Sequence, residues 1–127
     1  MKQSFAYAAA GVLGALVGAG GVHVLYAQGS PPAFLVAEVE VTDPATFKEY
    51  AQKYPATLAP FGAKAIAQGG KVEALEGAPP AGRVVIIQYP NLKAAEDWWN
   101  APAYQELIPI RQKASKSRIF LVEGLAQ

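Results

Sequence analysis

"RVVIIQYPNLKAAEDWWN", Arg83 to Asn100, decides the fold. Its first seven residues form the strongest strand signal in the chain. Val84 and Ile86 point to one face and Val85 and Ile87 to the other, so both faces are apolar and the strand is predicted to be central and covered twice. Pro90 then stops the strand, and Asn91 is placed to cap a helix over "LKAAEDWWN". A strand feeding a capped amphipathic helix indicates an α+β or α/β domain, and the segments on either side choose between them.

Upstream, "AFLVAEVEV", Ala33 to Val41, reads as a strand. Leu35, Ala37, Val39 and Val41 share one face, and Phe34, Val36, Glu38 and Glu40 share the other. Asp43 can cap a helix that begins at Pro44, where a missing N–H costs nothing. Phe47, Tyr50, Tyr54 and Leu58 recur at helical spacing as an apolar stripe. Pro55 should kink or end that helix, and Pro60-Phe61-Gly62 closes the segment. "AKAIAQGGKVEALEG", Ala63 to Gly77, reads as a strand interrupted at Gly69-Gly70. Downstream, "APAYQELIPIRQKAS" continues as a second short helix with Pro102 in its first turn. "RIFLVEG", Arg118 to Gly124, is the last strand.

The order β-α-β-β-α-β is the ferredoxin-like arrangement, a four-stranded antiparallel sheet with helices on one face. The other face raises a physical problem. Phe34 and Val36 oppose Leu35 and Val39 in the pleat, Val84 and Ile86 oppose Val85 and Ile87, and Ile119 and Leu121 oppose Phe120 and Val122, so both faces of the sheet are apolar. An apolar surface of that size calls for a cover. A second copy, sheet against sheet, supplies one, so a homodimer is expected.

The chain has 127 residues, 52% of them apolar. One domain of that length can hold a core without staples. The apolar excess lies at the start. No charged residue occurs between Lys2 and Glu38. A lysine, an apolar run and a small residue at a cut site after Ala27 are the marks of a secretory signal peptide. The run is also long enough for a retained membrane anchor, which needs roughly 20 apolar residues. Gly14 and Gly18 would suit close helix packing in that case. Residues 1–27 are therefore read as signal peptide or N-terminal membrane anchor, 28–32 as linker and 33–125 as the domain. Both readings put the domain outside the cytoplasm, in the periplasm or at the cell surface, with membrane contact only through an uncleaved leader.

Residue inventory excludes several chemistries. There is no cysteine, and the one histidine, His23, lies in the leader. Metal ligation by His or Cys, proximal-His haem and thiolate chemistry are therefore not expected in the domain. Carboxylates are scattered, with no calcium-loop spacing. Gly18, Gly20 and Gly21 do not follow a strand and miss the nucleotide-binding fingerprints. Ser115 and Ser117 have no histidine to activate them. Without Lys2, ten basic residues face ten acidic ones. That balance is unlike a nucleic-acid binder. The densest basic run, Arg111 to Arg118, reads as a solvated connector before the last strand. No cofactor is expected.

The run "GRVVIIQYPNLKAAEDWWNAPAYQELIPIR", with "YPATLAPFGAKAIAQGG", "ALEG" and the closing "LVEG", resembles the domain-of-unknown-function 1330 family over Ala33 to Leu125. The resemblance implies a ferredoxin-like protomer that pairs into a dimeric α+β barrel. It names no reaction. Small monooxygenases, muconolactone-isomerase-like enzymes and haem-binding proteins share that architecture, and fold alone does not select among them. The family pattern commonly carries an acidic residue where this chain has Gln88, and Ser and Glu where it has Ala101 and Ala103.

The only two tryptophans are adjacent, Trp98 and Trp99. On a helix they point about 100° apart. Trp99 continues the stripe of Leu92 and Ala95 and is expected in the core, with Trp98 at the sheet edge or the dimer seam. The segment then has two readings. As packing, it fixes the second helix pair onto the sheet. As a pocket, Trp98 and Tyr104 form apolar walls, Arg111 clamps an anionic group, and Asn100 and Gln88 orient polar atoms. Glu38 is the one carboxylate that could serve as a base, against the alternative of an ordinary ion pair. Three functions follow: a small-molecule-binding domain whose ligand is apolar or aromatic and anionic, a cofactor-independent enzyme of the monooxygenase or isomerase type, or a structural membrane-tethered dimer.

Overall fold

The computed structural model describes residues 29–126, and Pro31–Leu125 form one compact unit. The leader, its cut after Ala27, the Gly14/Gly18 pair and His23 lie outside the described residues. No helix among those described is long and apolar enough to cross a membrane.

Four strands, β1 (Ala33–Val41), β2 (Lys64–Gln68), β3 (Arg83–Tyr89) and β4 (Ser115–Glu123), form one sheet in the order β2-β3-β1-β4. All neighbouring pairs are antiparallel. β1 and β3 are therefore the inner strands. The helices are α1 (Pro44–Lys53), α2 (Leu92–Asn100), α3 (Pro102–Gln105) and α4 (Ile108–Ala114), with two 3₁₀ turns at Tyr54–Thr57 and Ala59–Phe61. This is the expected α+β, ferredoxin-like protomer.

The caps are those the sequence specifies. The Asp43 carboxylate accepts from the Thr46 N–H at 3.2 Å and the Asn91 side chain from the Ala94 N–H at 2.8 Å. Each satisfies a donor that a helix start leaves open. Pro55 converts the end of α1 into a 3₁₀ turn, as the loss of an N–H requires.

Registers fix the two faces. Leu35 pairs with Ile87 and Leu121, and Ala37 with Val85 and Ile119. With Ala33, Val39 and Tyr89, these face the helices. The core is built there, with Phe47, Tyr50, Tyr54, Leu58, Ala95, Trp98, Tyr104 and Leu107 buried above them. The opposite face carries Phe34, Val36, Val84 and Ile86, all half-buried, with Phe120 and Val122 at 42% and 47% exposure. β3 is central, but within the protomer only one of its faces is covered.

Four expectations need correction. β2 ends at Gln68, five residues long, and its bulge lies between Ala65 and Ala67, ahead of the glycines. Residues 70–82 form no regular element. The helix after Asn100 is two helices, because Pro109 lacks the N–H needed to continue α3 and instead opens α4. β4 begins at Ser115 rather than Arg118. The basic run is thus no connector: Arg111 ends up 5% exposed on α4, and Ser115 is buried with its hydroxyl donating to the Arg111 carbonyl.

Gly82 shows how tightly β3 is led into the sheet. A Cβ there would stand 2.2 Å from the Val39 carbonyl oxygen, and the backbone has φ +69°. Only glycine meets both conditions.

Candidate functional site

A cavity opens between the helices and the sheet. Its floor is apolar: Leu35, Ala37 and Val39 of β1, Val85 and Ile87 of β3, Ile119 of β4. The walls are aromatic. α1 presents Phe47 and Tyr50, and Tyr54 follows in the next turn. These are the stripe that the helical spacing predicts. Trp98 and Tyr104 close the other side, their ring centroids 3.9 Å apart. Polar groups join them at the rim and ceiling: the Gln68, Arg83 and Arg111 side chains and the Tyr50–Tyr104 hydroxyl pair.

The two tryptophans exchange their expected roles. Trp98 is 1% exposed and Trp99 is only half-buried. The buried line of α2 runs through Ala95 and Trp98. The Trp98 indole N–H donates to the Thr57 hydroxyl at 2.8 Å, which itself donates to the Tyr54 carbonyl. Trp98 is therefore a fixed wall with its polar atom already used. Trp99 sits at the β4 edge, beside Ile119, Phe120 and Leu121.

The hydroxyls of Tyr50 and Tyr104 are 2.7 Å apart in the interior. One of the two protons makes that bond, and the other remains free to donate elsewhere. The Tyr54 hydroxyl donates to Gln68 at 2.5 Å, tying α1's end to the edge strand. Burial pushes the Tyr50 phenol well above its ordinary range, the neighbouring Tyr104 adding to the effect and Arg111 opposing it. Burial raises Tyr54 and Tyr89 in the same way. Tyr50, Tyr54 and Tyr89 therefore stay neutral and cannot serve as counter-ions.

Arg111 is the anomaly. Its guanidinium carbon lies 5.8 Å from the Trp99 ring centroid, close enough for a cation–π contact. Its Nε is buried with no partner. None of the ion pairs among the described residues involves it. A buried charge left without an anion is costly. Tyr89 is the other orphan, its hydroxyl buried without a partner while its ring tilts against Trp98 at 5.7 Å.

Of the residues singled out in the sequence, Trp98, Tyr104 and Arg111 line this cavity together. The other three lie elsewhere. Asn100 is exposed at the end of α2, its side-chain amide donating to the Glu96 carbonyl. Gln88 pairs with Phe34 and Lys64 in register and therefore belongs to the opposite face of the sheet. Glu38 is on that face too, and Arg118, its register partner on β4, donates to its carboxylate at 2.6 Å. No carboxylate lines the cavity. Tyr50, Tyr54, Gln68 and Arg83 were not singled out as site residues. A signal existed for two of them: a stripe that uses tyrosine twice, where leucine would pack as well, carries hydroxyls that need somewhere to go. Among the described residues no three His, Cys, Asp or Glu side chains come together as a metal site would require.

The family model described as "Domain of unknown function (DUF1330)" matches residues 32–125, so the chain belongs to that family. No curated protein sequence matches the chain. Among solved structures, a protein of unknown function from Rhodopseudomonas palustris is similar at a TM-score of 0.62 and 20% identity, over 83% of this chain and 92% of that one. SnoaB, a cofactor-independent oxygenase from Streptomyces nogalater, is similar at a TM-score of 0.54 and 13% identity, over 77% and 97%. A conserved protein from Bacteroides thetaiotaomicron, described as a possible oxidoreductase, gives 0.51 and 16%, over 75% and 99%. At these identities the likeness is one of fold.

Proposed function

We propose that this member of the DUF1330 family is a small-molecule-binding domain whose ligand is an aromatic anion, held between α1, α2 and the sheet. The observation that carries the reading is Arg111: 5% exposed, lining the cavity, its Nε without a partner and no carboxylate beside it. An anionic ligand would supply the missing charge and paired hydrogen bonds. The aromatic walls of Trp98, Tyr104, Tyr50 and Phe47 favour a planar body. A thermal-shift and calorimetric screen of the purified protein against small aromatic carboxylates tests it. A ligand at a hundredfold its dissociation constant adds about 2.7 kcal/mol to stability. A hit that survives Arg111→Met unchanged would remove the reading.

The proposal extends to the setting. The open sheet face, with Phe120 and Val122 about half exposed, supports a homodimer packed sheet to sheet. The charge-free stretch between Lys2 and Glu38 supports export to the periplasm or cell surface.

A second reading, a cofactor-independent oxygenase or isomerase, draws support from the fold likeness to SnoaB and from the Tyr50–Tyr104 pair, whose free proton could be donated to an oxyanion. Turnover of a bound aromatic probe, followed as oxygen uptake or isomer formation, separates it from binding alone.

A further inference from the structure

The cavity has a second cation. Arg83 opens β3 opposite Val39, so its side chain leaves the sheet on the helix side. It lines the same cavity as Arg111 but is exposed at the mouth. Its guanidinium carbon lies 5.8 Å from the Phe47 ring centroid on one side. Gly69, with φ +71°, is also close: an added Cβ there would come within 3.0 Å of Nη2 and 3.3 Å of Nε. The ring and the bare glycine both lie close to the guanidinium. Any side chain at position 69 would push it away.

Arg83 also lacks an anion. The ion pairs among the described residues are Lys53–Glu49, Lys71–Glu73, Lys93–Asp97 and Arg118–Glu38. The cavity therefore carries two positive charges and no negative one. The two are not side by side. Arg83 lies against Gly69, just past the end of edge strand β2, and Arg111 lies near Trp99, which sits beside β4 at the opposite edge of the sheet. Tyr50 and Tyr54 stack at 5.4 Å with their planes 8° apart. The two guanidiniums thus stand toward opposite edges of the sheet, with the apolar floor of β1 and β3 between them.

We propose that the ligand is an elongated aromatic dianion, one acidic group held by buried Arg111 and the other by Arg83 at the mouth, its planar body lying along the tyrosine stack. This deepens the binding reading above and rests on it. Arg83 is then the specificity-determining residue: Arg111 selects for one charge, and Arg83 distinguishes two charges from one.

Terephthalate and its monomethyl ester make the test, since they match in size and ring and differ by one charge. Titration calorimetry on the purified protein should give terephthalate at least about tenfold tighter binding, which is about 1.4 kcal/mol. Arg83→Gln should bring terephthalate down to the level of the ester and leave the ester unchanged. Gly69→Ala, which displaces the guanidinium without removing it, should do the same in part. Raising the salt should narrow the gap, because Arg83 is exposed. Equal affinity for the two probes, or an Arg83→Gln variant that weakens both alike, overturns the dianion. If Arg111→Met still abolishes both in that case, the binding reading stands. Absence of binding by either probe up to millimolar concentration overturns both.

Discussion

The phenolic oxygens of Tyr50 and Tyr104 lie 2.7 Å apart in the interior, although 54 residues separate them in the chain. The bond joins α1 to α3 across the top of the cavity, and the rings meet edge to face at 6.2 Å. It ties the two helices together within the single helical layer that covers the sheet. Its energetics can be isolated.

Tyr50→Phe and Tyr104→Phe should each cost about 1 kcal/mol, because each leaves a buried hydroxyl with one partner fewer. The double variant should cost less than the sum, since both ends of the bond then leave together. Urea denaturation of the four proteins gives the cycle. Strict additivity would show that the hydroxyls do not interact in solution.

Arg111→Met should leave the fold intact and raise stability by on the order of 1 kcal/mol, because a buried charge without an anion is replaced by an apolar chain of similar length. The same variant should lose at least about tenfold in affinity for aromatic carboxylates, the loss of a charge-assisted contact. Denaturation midpoints and calorimetry read the two effects separately. A marked loss of stability would mean that Arg111 is structural.

Alkaline pH should unfold the protein early. Burial raises Tyr50, Tyr54 and Tyr89 above their unfolded value. The unfolded chain then releases protons from about pH 10 while the folded chain keeps them. The folded state binds more protons, so stability is whole below about pH 10 and falls as pH rises beyond it. Tyrosinate absorbance should appear together with loss of near-ultraviolet circular dichroism. Smooth titration of all six tyrosines in a still-folded protein would contradict this.

Tyr89→Phe should be neutral or add about 1 kcal/mol. Its hydroxyl has no protein partner and sits in a fully buried residue, so removing it removes a desolvation cost. Thermal denaturation measures it, and a clear loss would reveal a partner for that hydroxyl in solution.

The open face predicts assembly. Sedimentation of the wild-type protein at micromolar concentration should give a dimer, and Phe120→Asp should give a folded monomer. Phe120 lies on the edge strand at 42% exposure, so the charge is tolerated by the protomer but not by an apolar seam. A wild-type monomer would sink the homodimer.

How much of this was legible beforehand follows from the range over which each signal acts. Period and capping are local. The alternation in Ala33–Val41, the apolar run Arg83–Tyr89 and the caps at Asp43 and Asn91 each lie within a few residues of what they control. They determined the strands, the helix starts and the ferredoxin-like order without reference to anything distant. Signals that depend on a partner far along the chain were out of reach. Trp98 and Trp99 offer equal hydrophobicity, and only the docking angle of α2, set by Thr57, Tyr89 and Tyr104, selected Trp98 for the interior. Gln88 and Arg83 stand five residues apart on one strand, an odd number, so the pleat sends them to opposite faces. Which face holds the cavity depends on where the helices pack. Arg111 looked like part of a solvated basic run because charge is normally solvated. The break before Pro109 turned it inward. Local chemistry in the sequence determined the elements and their order; tertiary packing decided which of their side chains meet, because that choice is made by contacts between residues tens of positions apart.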